Sequence, residues 1–245
     1  MNQSYSQYTA DDQAVWQLLF ERQMAQLPGK ASQAYLDGIV ATGFRADRIP
    51  DFERDLNPRL QQLTGWRVSA VEGLIPNRAF FDLMANRNFP ATTWLRRRNQ
   101  LDYLPEPDMF HDTFGHVPML SNQAFCDFLA SLSRIALRFV DHEPAIDMIS
   151  RLYWYTVEFG LIEESEELRI YGGGILSSVG ETTYSLYSPH PRRLPYNVSK
   201  LLQTPYVIDH FQEQYFVIQS FEQLYHSVPE IEATLEELLT ELWHD

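Results

Sequence analysis

The sequence predicts a mainly α fold with a few short β-strands, and three observations carry that reading. Apolar residues recur at helical spacing through most of the long segments, whereas strictly alternating runs are short. Start and stop signals bound those segments: Thr9 ahead of Asp11 and Asp12, then Gly43, Gly65 and Pro76. No internal repeat and no low-complexity linker interrupts the 245 residues, so 1–245 reads as a single domain, with residues 1–7 a disordered N-terminal stretch.

The elements follow in order. Thr9-Ala10-Asp11-Asp12 is an N-cap with acids in the first turn, opening a helix through Val15, Leu18, Leu19 and Phe20. Residues 30–44 form a second helix ending near Gly43. A third runs from Asp51 to Gly65, where the glycine stops it. Trp66–Val71 is a short strand, and Pro76–Arg87 a helix with proline in its first turn. Asp127–Val140 and Ala145–Phe159 are helices, and Ile170–Gly174 is a turn or strand edge. The acidic tail is a last helix with Ile231, Leu235, Leu238 and Leu242 as its stripe.

Composition excludes several functions. At 44% apolar and 13% aromatic residues the chain is globular. A net charge of −14 argues against nucleic acid as a partner, since phosphate binding needs a cationic face. The acids of Glu163-Glu164-Ser165-Glu166-Glu167 and of the tail read as solvated surface. Cys126 is the single cysteine, so neither an internal disulfide nor a thiolate zinc site is possible; its apolar neighbours make it a buried structural thiol. No signal sequence and no membrane-length apolar run is present, which predicts a cytoplasmic protein.

The informative stretch is Pro105-Glu106-Pro107-Asp108-Met109-Phe110-His111-Asp112-Thr113-Phe114-Gly115-His116-Val117-Pro118, read with Tyr153–Gly160. Two histidines and a carboxylate can occupy one face of a metal and leave the other open for dioxygen and water. Asp108 can cap a short helix that begins at Met109 and carries His111. On an ideal α-helix, side chains five apart diverge by about 140°. His116 can therefore share a metal only if it lies at or past a frayed helix end, which Gly115 permits. Glu158 lies off the apolar stripe of its helix, on a face shared with Trp154 and Arg151. The alternative is a surface glutamate beside a snorkelling tryptophan; a metal better resolves the burial of a carboxylate among aromatics. His142, His190, His210, His226 and His244 read as surface or structural.

Four blocks in order then resemble a known family: Val71–Pro76, Leu104 through Pro118, Tyr153–Gly160 and Tyr171–Glu181. The chain, from about Tyr8 to about Tyr225, resembles the tetrahydropterin-dependent, non-haem iron aromatic amino acid hydroxylases, and among them the short bacterial phenylalanine 4-hydroxylases. The resemblance implies that family's catalytic-domain fold, with Fe(II) bound by His111, His116 and Glu158. It implies a tetrahydropterin (tetrahydrobiopterin or a related bacterial pterin) held by Gly73, Leu74, Ile75, Phe80, Asp112 and Glu181. It implies a substrate site made by Arg96, which pairs with the amino-acid carboxylate, by Asp108 behind it, by Pro105 and Trp154 against the ring, and by the Ser177 hydroxyl. Asp112 stands where animal members usually carry Glu, and Asn77, Ala79 and Leu104 replace a common Ser, Asp and Thr.

The implied reaction is ring hydroxylation of a free aromatic L-amino acid, L-phenylalanine to L-tyrosine first. Trp154 narrows the pocket against an indole. The alternatives within the class are tryptophan or tyrosine hydroxylation and meta-hydroxylation of phenylalanine; outside it stand a catalytically idle aromatic amino acid sensor and a metal-free helical scaffold. The resemblance also implies a functional link to a pterin carbinolamine dehydratase and a place in phenylalanine catabolism. The sensing domain and the tetramerisation coiled coil of longer animal members have no counterpart here, so a monomer is expected.

Overall fold

The structure is a computed structural model that describes residues 1–242 apart from Tyr103 and Pro105. Pro105, His244 and the side chain of Leu242, which the sequence reading invoked, lie outside the described residues. Helices dominate, as expected: α1 (Ala10–Met24), α2 (Gln33–Thr42), α3 (Asn57–Leu63), α4 (Asn77–Ala85), α5 (Gln123–Arg138), α6 (Glu143–Tyr153), α7 (Gly173–Leu176), α8 (Val179–Tyr187), α9 (Val198–Gln203), α10 (Phe221–His226) and α11 (Val228–Leu242). Among the described residues, short strands accompany them: β1 (Arg67–Val71), β2 (Asn88–Thr92), β3 (Leu161–Glu164), β4 (Glu167–Ile170), β5 (Arg192–Pro195) and β6 (Gln214–Ile218).

Local chemistry sets the boundaries. Thr9 and Asp12 form a reciprocal capping box at the start of α1. Gly43 ends α2 at φ 77°, a left-handed conformation that glycine adopts without a Cβ clash. The α5 helix begins at Gln123, four residues before the expected Asp127, because the Asn122 side chain accepts the Phe125 N–H and caps it there. The expected single helix 51–65 divides into a π-wound turn, Phe52–Leu56, and α3. Residues 1–7 do not hang free. Gln3 bonds the Pro50 carbonyl and the Phe52 N–H, and the Tyr5 hydroxyl donates to Ile49.

β1 and β2 pair in parallel, with Arg67 opposite Asn88 and Val71 opposite Thr92, and α4 makes the crossover between them. The larger sheet has the order β4-β3-β6-β5. β3 and β4 form a hairpin whose turn residues, Ser165 and Glu166, adopt positive φ, so the acidic run is the exposed tip of a hairpin. Short length hid these strands from the sequence reading. On α11 the buried line is Ile231, Leu235 and Leu239, with Leu238 only partly covered. Arg138 of α5 pairs with Glu232 and Glu236, so this helix lies against the body of the protein.

An aromatic cluster organises the core behind the segment that carries His111 and His116. Trp16 meets Phe110 edge-on at 5.5 Å, Phe110 stacks on Phe114 at 4.7 Å, and Phe20 and Tyr35 meet Phe114 edge-on at 5.3 and 6.0 Å. The Trp16 indole N–H donates to the Arg45 carbonyl and the Tyr35 hydroxyl to the Phe114 carbonyl. Both polar tips are satisfied, and the segment between Met109 and Val117 is pinned from behind.

Candidate metal centre

His111 and His116 share one π-wound segment, Phe110–His116. This corrects the expectation that an α-helix frays before His116. In i→i+5 winding, five residues close about one turn, so the two imidazoles fall on one face by construction. Phe110 and Phe114 point back into the aromatic cluster. Asp108 caps the segment as expected: its Oδ1 accepts the His111 N–H at 3.1 Å. The helix carrying Glu158 changes the same way. α6 gives way at Trp154 to a π-wound turn, Trp154–Glu158, closed by the Phe159 N–H on the Trp154 carbonyl at 2.8 Å. Both elements that supply candidate ligands therefore depart from α-winding where they supply them.

The three donor atoms converge. His111 Nε2 lies 3.3 Å from His116 Nε2 and 3.6 Å from Glu158 Oε2, and His116 Nε2 lies 3.2 Å from the same oxygen. Ligands bound at about 2.1 Å and roughly at right angles stand about 3 Å apart, so this triangle fits one face of a single transition-metal ion. Among the described residues it is the cluster of such side chains with that convergence. The set, two imidazoles and one carboxylate, suits Fe(II) with open positions.

The surroundings prepare these ligands. Ser177 Oγ donates to the Gly173 carbonyl at 2.9 Å and sits 2.9 Å from His111 Nδ1. With its proton committed, the hydroxyl accepts from Nδ1–H, which leaves the Nε2 lone pair for a metal. Burial lowers the His111 pKa, which favours the neutral, ligating form. Burial disfavours the Glu158 carboxylate, but the charge and hydrogen bond of His116, with His111, hold its pKa below the usual value. His116 also feels burial first, yet Glu158 raises its pKa, as an imidazole that has gained an anionic neighbour.

Gly173 explains the Gly172-Gly173-Gly174 run, to which the sequence reading gave no role. A Cβ there would lie 2.4 Å from Cε1 and Nδ1 of His116, so glycine is what admits the ring. Gly173→Ala is expected to displace that imidazole and weaken metal affinity about 10–100-fold, while circular dichroism stays unchanged. Metal titration checks this; a variant that loads metal like the wild type would show that the contact does not fix the ring.

The predicted substrate residues lie nearby. Arg96 and Asp108 form a buried two-pronged pair: Nε donates to Oδ2 at 2.9 Å and Nη2 to Oδ1 at 2.8 Å, with the Arg96 N–H also on Oδ2. Asp108 thus orients both the arginine and the histidine segment. Arg97 and Arg98, next to it, are exposed. Trp154 stacks on Tyr206 at 4.3 Å and leans on Phe159 at 4.7 Å.

The residues expected to bind cofactor divide. Gly73, Leu74 and Ile75 form the loop after β1, with Leu74 79% exposed and available to a ligand. Phe80, on α4, meets Tyr153 edge-on at 5.6 Å and so connects that loop to the Glu158 helix. Asp112 is buried next to the ligands, where Thr92 donates to Oδ2 from its N–H and its hydroxyl; burial raises its pKa against those bonds. Glu181, expected on the cofactor side, is buried at the start of α8. It accepts from the Gln212 N–H and the Tyr215 hydroxyl. Sequence reasoning missed Thr92, Tyr206 and Gln212, none of which stands in a motif. Cys126 is buried, and His142 caps α6.

The chain also resembles known proteins over most of its length. The family described as biopterin-dependent aromatic amino acid hydroxylase matches residues 3–242. The phenylalanine-4-hydroxylase of Ralstonia nicotianae is 48% identical over 215 residues, 88% of this chain and 68% of that protein. Two crystal structures of Chromobacterium violaceum phenylalanine hydroxylase share the fold. One, with bound iron(III) and oxidised cofactor 7,8-dihydrobiopterin, has a TM-score of 0.93 at 46% identity, covering 98% of this chain and 86% of that one. The other, with iron and phenylalanine bound, has a TM-score of 0.91 at 44% identity, covering 98% and 87%.

Proposed function

This chain belongs to the family of biopterin-dependent aromatic amino acid hydroxylases, and we propose on that premise that it hydroxylates L-phenylalanine to L-tyrosine with Fe(II), dioxygen and a tetrahydropterin. The single observation that carries the reading is the 3.2–3.6 Å triangle of His111, His116 and Glu158 donors beside a two-pronged Arg96–Asp108 pair. The triad is assigned to iron. The loop Gly73–Ile75, Phe80 and Asp112 are assigned to the pterin; Arg96, Pro105, Asp108, Trp154 and Ser177 to the substrate. Bound iron and tetrahydropterin supply the activation of dioxygen and its electrons.

The chain's own residues supply position. Arg96, held flat by Asp108, offers a guanidinium fork to the amino-acid carboxylate. Trp154, packed against Tyr206 and Phe159, walls the side of the ring. Ser177 keeps the His111 proton on Nδ1. A phenyl ring has no acidic proton to remove at the outset, so no strong base is required there. The departures at Asp112, Asn77 and Ala79 leave the triad complete.

Among the described residues no helix is long and apolar enough to cross a membrane. We place the enzyme in the cytoplasm, in phenylalanine catabolism beside a pterin carbinolamine dehydratase, as a monomer. Internal burial of Ile231, Leu235 and Leu239 supports the last point, since that line of α11 packs within this chain.

The test is product analysis with Fe(II), tetrahydropterin, dioxygen and each of phenylalanine, tyrosine and tryptophan; tyrosine from phenylalanine is expected as the main product. Trp154→Phe opens the side wall and is expected to raise the tryptophan-to-phenylalanine activity ratio about 10-fold or more, the scale on which a pocket discriminates by size. An unchanged ratio would move the specificity assignment to Leu104 or Val179.

A further inference from the structure

Gln212 is 2% exposed and lies in the connection between α9 and β6. Each of its polar groups facing the interior has a partner. Oε1 accepts the indole N–H of Trp154 at 3.0 Å, Nε2 donates to the Val207 carbonyl at 2.8 Å, and the backbone N–H donates to Glu181 Oε1 at 3.1 Å. Glu181 is fixed in turn by the Tyr215 hydroxyl. Tyr206, from the same connection, lies almost flat on the indole, with planes 15° apart. One segment thus grips Trp154 twice, on its face through Tyr206 and on its edge through Gln212.

The two grips differ in kind. Offset stacking tolerates sliding and in-plane rotation of one ring over the other. A hydrogen bond to the indole N–H does not, because it weakens steeply as the donor turns away. We propose that Gln212 is a specificity-positioning residue: it fixes the in-plane orientation of the Trp154 indole and thereby the width of the site for the substrate ring. The inference rests on the reading of Trp154 as a wall of that site. The hydrogen bonds of Gln212 go to Trp154, Val207 and Glu181, so its effect on the site should run through Trp154. The competing role is purely local, closing the 207–212 turn and sealing Glu181.

The experiment is a double-mutant cycle in the iron-loaded enzyme. Gln212→Met keeps the length of the side chain, removes Oε1 and Nε2, and leaves the backbone bond to Glu181. It is expected to raise KM for phenylalanine about tenfold, the factor that 1.4 kcal/mol represents, with kcat and the KM for tetrahydropterin little changed. It should also shift the tryptophan emission of the protein, since the indole loses its acceptor. In the Trp154→Phe background, Gln212→Met should add almost nothing to either readout. Equal losses in both backgrounds, or no change in KM and emission in the first, overturn the proposal. Gln212→Asn, which stays polar but withdraws the acceptor by about 1.5 Å, repeats the measurement if the methionine variant does not fold, with the same outcomes expected. Wild-type enzyme that makes no tyrosine from phenylalanine would instead sink the functional reading, and the emission difference between the two backgrounds would still decide the contact.

Discussion

Replacing His111, His116 or Glu158 with alanine is expected to abolish stoichiometric Fe(II) binding and to reduce tyrosine formation by at least about a thousandfold. The size follows from the several kcal/mol that a bound metal contributes to a transition state, at about 1.36 kcal/mol for each factor of ten. The geometry makes the loss unequal to a simple removal of one contact. The three donors lie 3.2–3.6 Å apart, and no fourth His, Cys, Asp or Glu joins the cluster among the described residues. Two remaining ligands would hold Fe(II) weakly and with its coordination open on the wrong side.

The fold should survive, because the π-wound segment is pinned from behind by Phe110, Phe114 and the Tyr35 hydroxyl, none of which the substitutions touch. Iron content by mass spectrometry, circular dichroism and product analysis on the same samples check this. A single-alanine variant that keeps one iron per chain and near-normal turnover would remove that residue from the ligand set. His111→Ala has a second consequence: it frees Ser177 Oγ from Nδ1 while leaving its bond to Gly173, so the α7 turn should remain in place.

The candidate ligands were legible in the sequence because motif and type coincide. His111, His116 and Glu158 stand in dense blocks, and the structure brings their donors together. The reason they meet was not legible. Reading five residues as 140° of α-helix leads to a frayed end, whereas the chain winds i→i+5 across both ligand-bearing elements. Sequence periodicity at 3.6 residues cannot announce a local change of pitch, since only a few residues adopt it. Elsewhere the misses are long-range. Thr92 reaches Asp112 across 20 positions and Gln212 reaches Trp154 across 58, and no spacing rule connects residues that far apart. Glu181 shows the converse: its block was recognised, but its partners, Gln212 and Tyr215, come from a distant connection and a strand that no pattern marked. The short strands β2 to β6 escaped for a simpler reason, since four or five residues hold too little alternation to read.

The second large effect is expected at the Arg96–Asp108 pair. Side-chain exposures of 8% and 0% make it a buried ion pair, where breaking one half costs far more than the pair itself is worth. Asp108→Ala strands a buried guanidinium and also strips acceptors from the Arg96 and His111 backbone N–H groups. The loss should be about 3–5 kcal/mol, which for a chain of this size lowers Tm by roughly 10 °C. Activity should fall further than stability predicts, since the same carboxylate aims the arginine and caps the segment bearing both histidines.

Arg96→Lys separates these roles. An ammonium still neutralises Asp108, so Tm should fall less than in Asp108→Ala. A point charge cannot serve Asp108 and a substrate carboxylate with the two-pronged geometry of a guanidinium. KM for phenylalanine should therefore rise at least about tenfold, the worth of one charge-assisted hydrogen bond, while the KM for tetrahydropterin stays nearly constant. The Nη1 bond to the Leu101 carbonyl at 3.1 Å would be lost as well. Thermal melts and paired KM measurements on both variants decide the matter. Equal effects of Arg96→Lys on amino acid and pterin would place the arginine outside the carboxylate site, and an Asp108→Ala protein as stable as the wild type would mean that the guanidinium finds water instead of remaining buried.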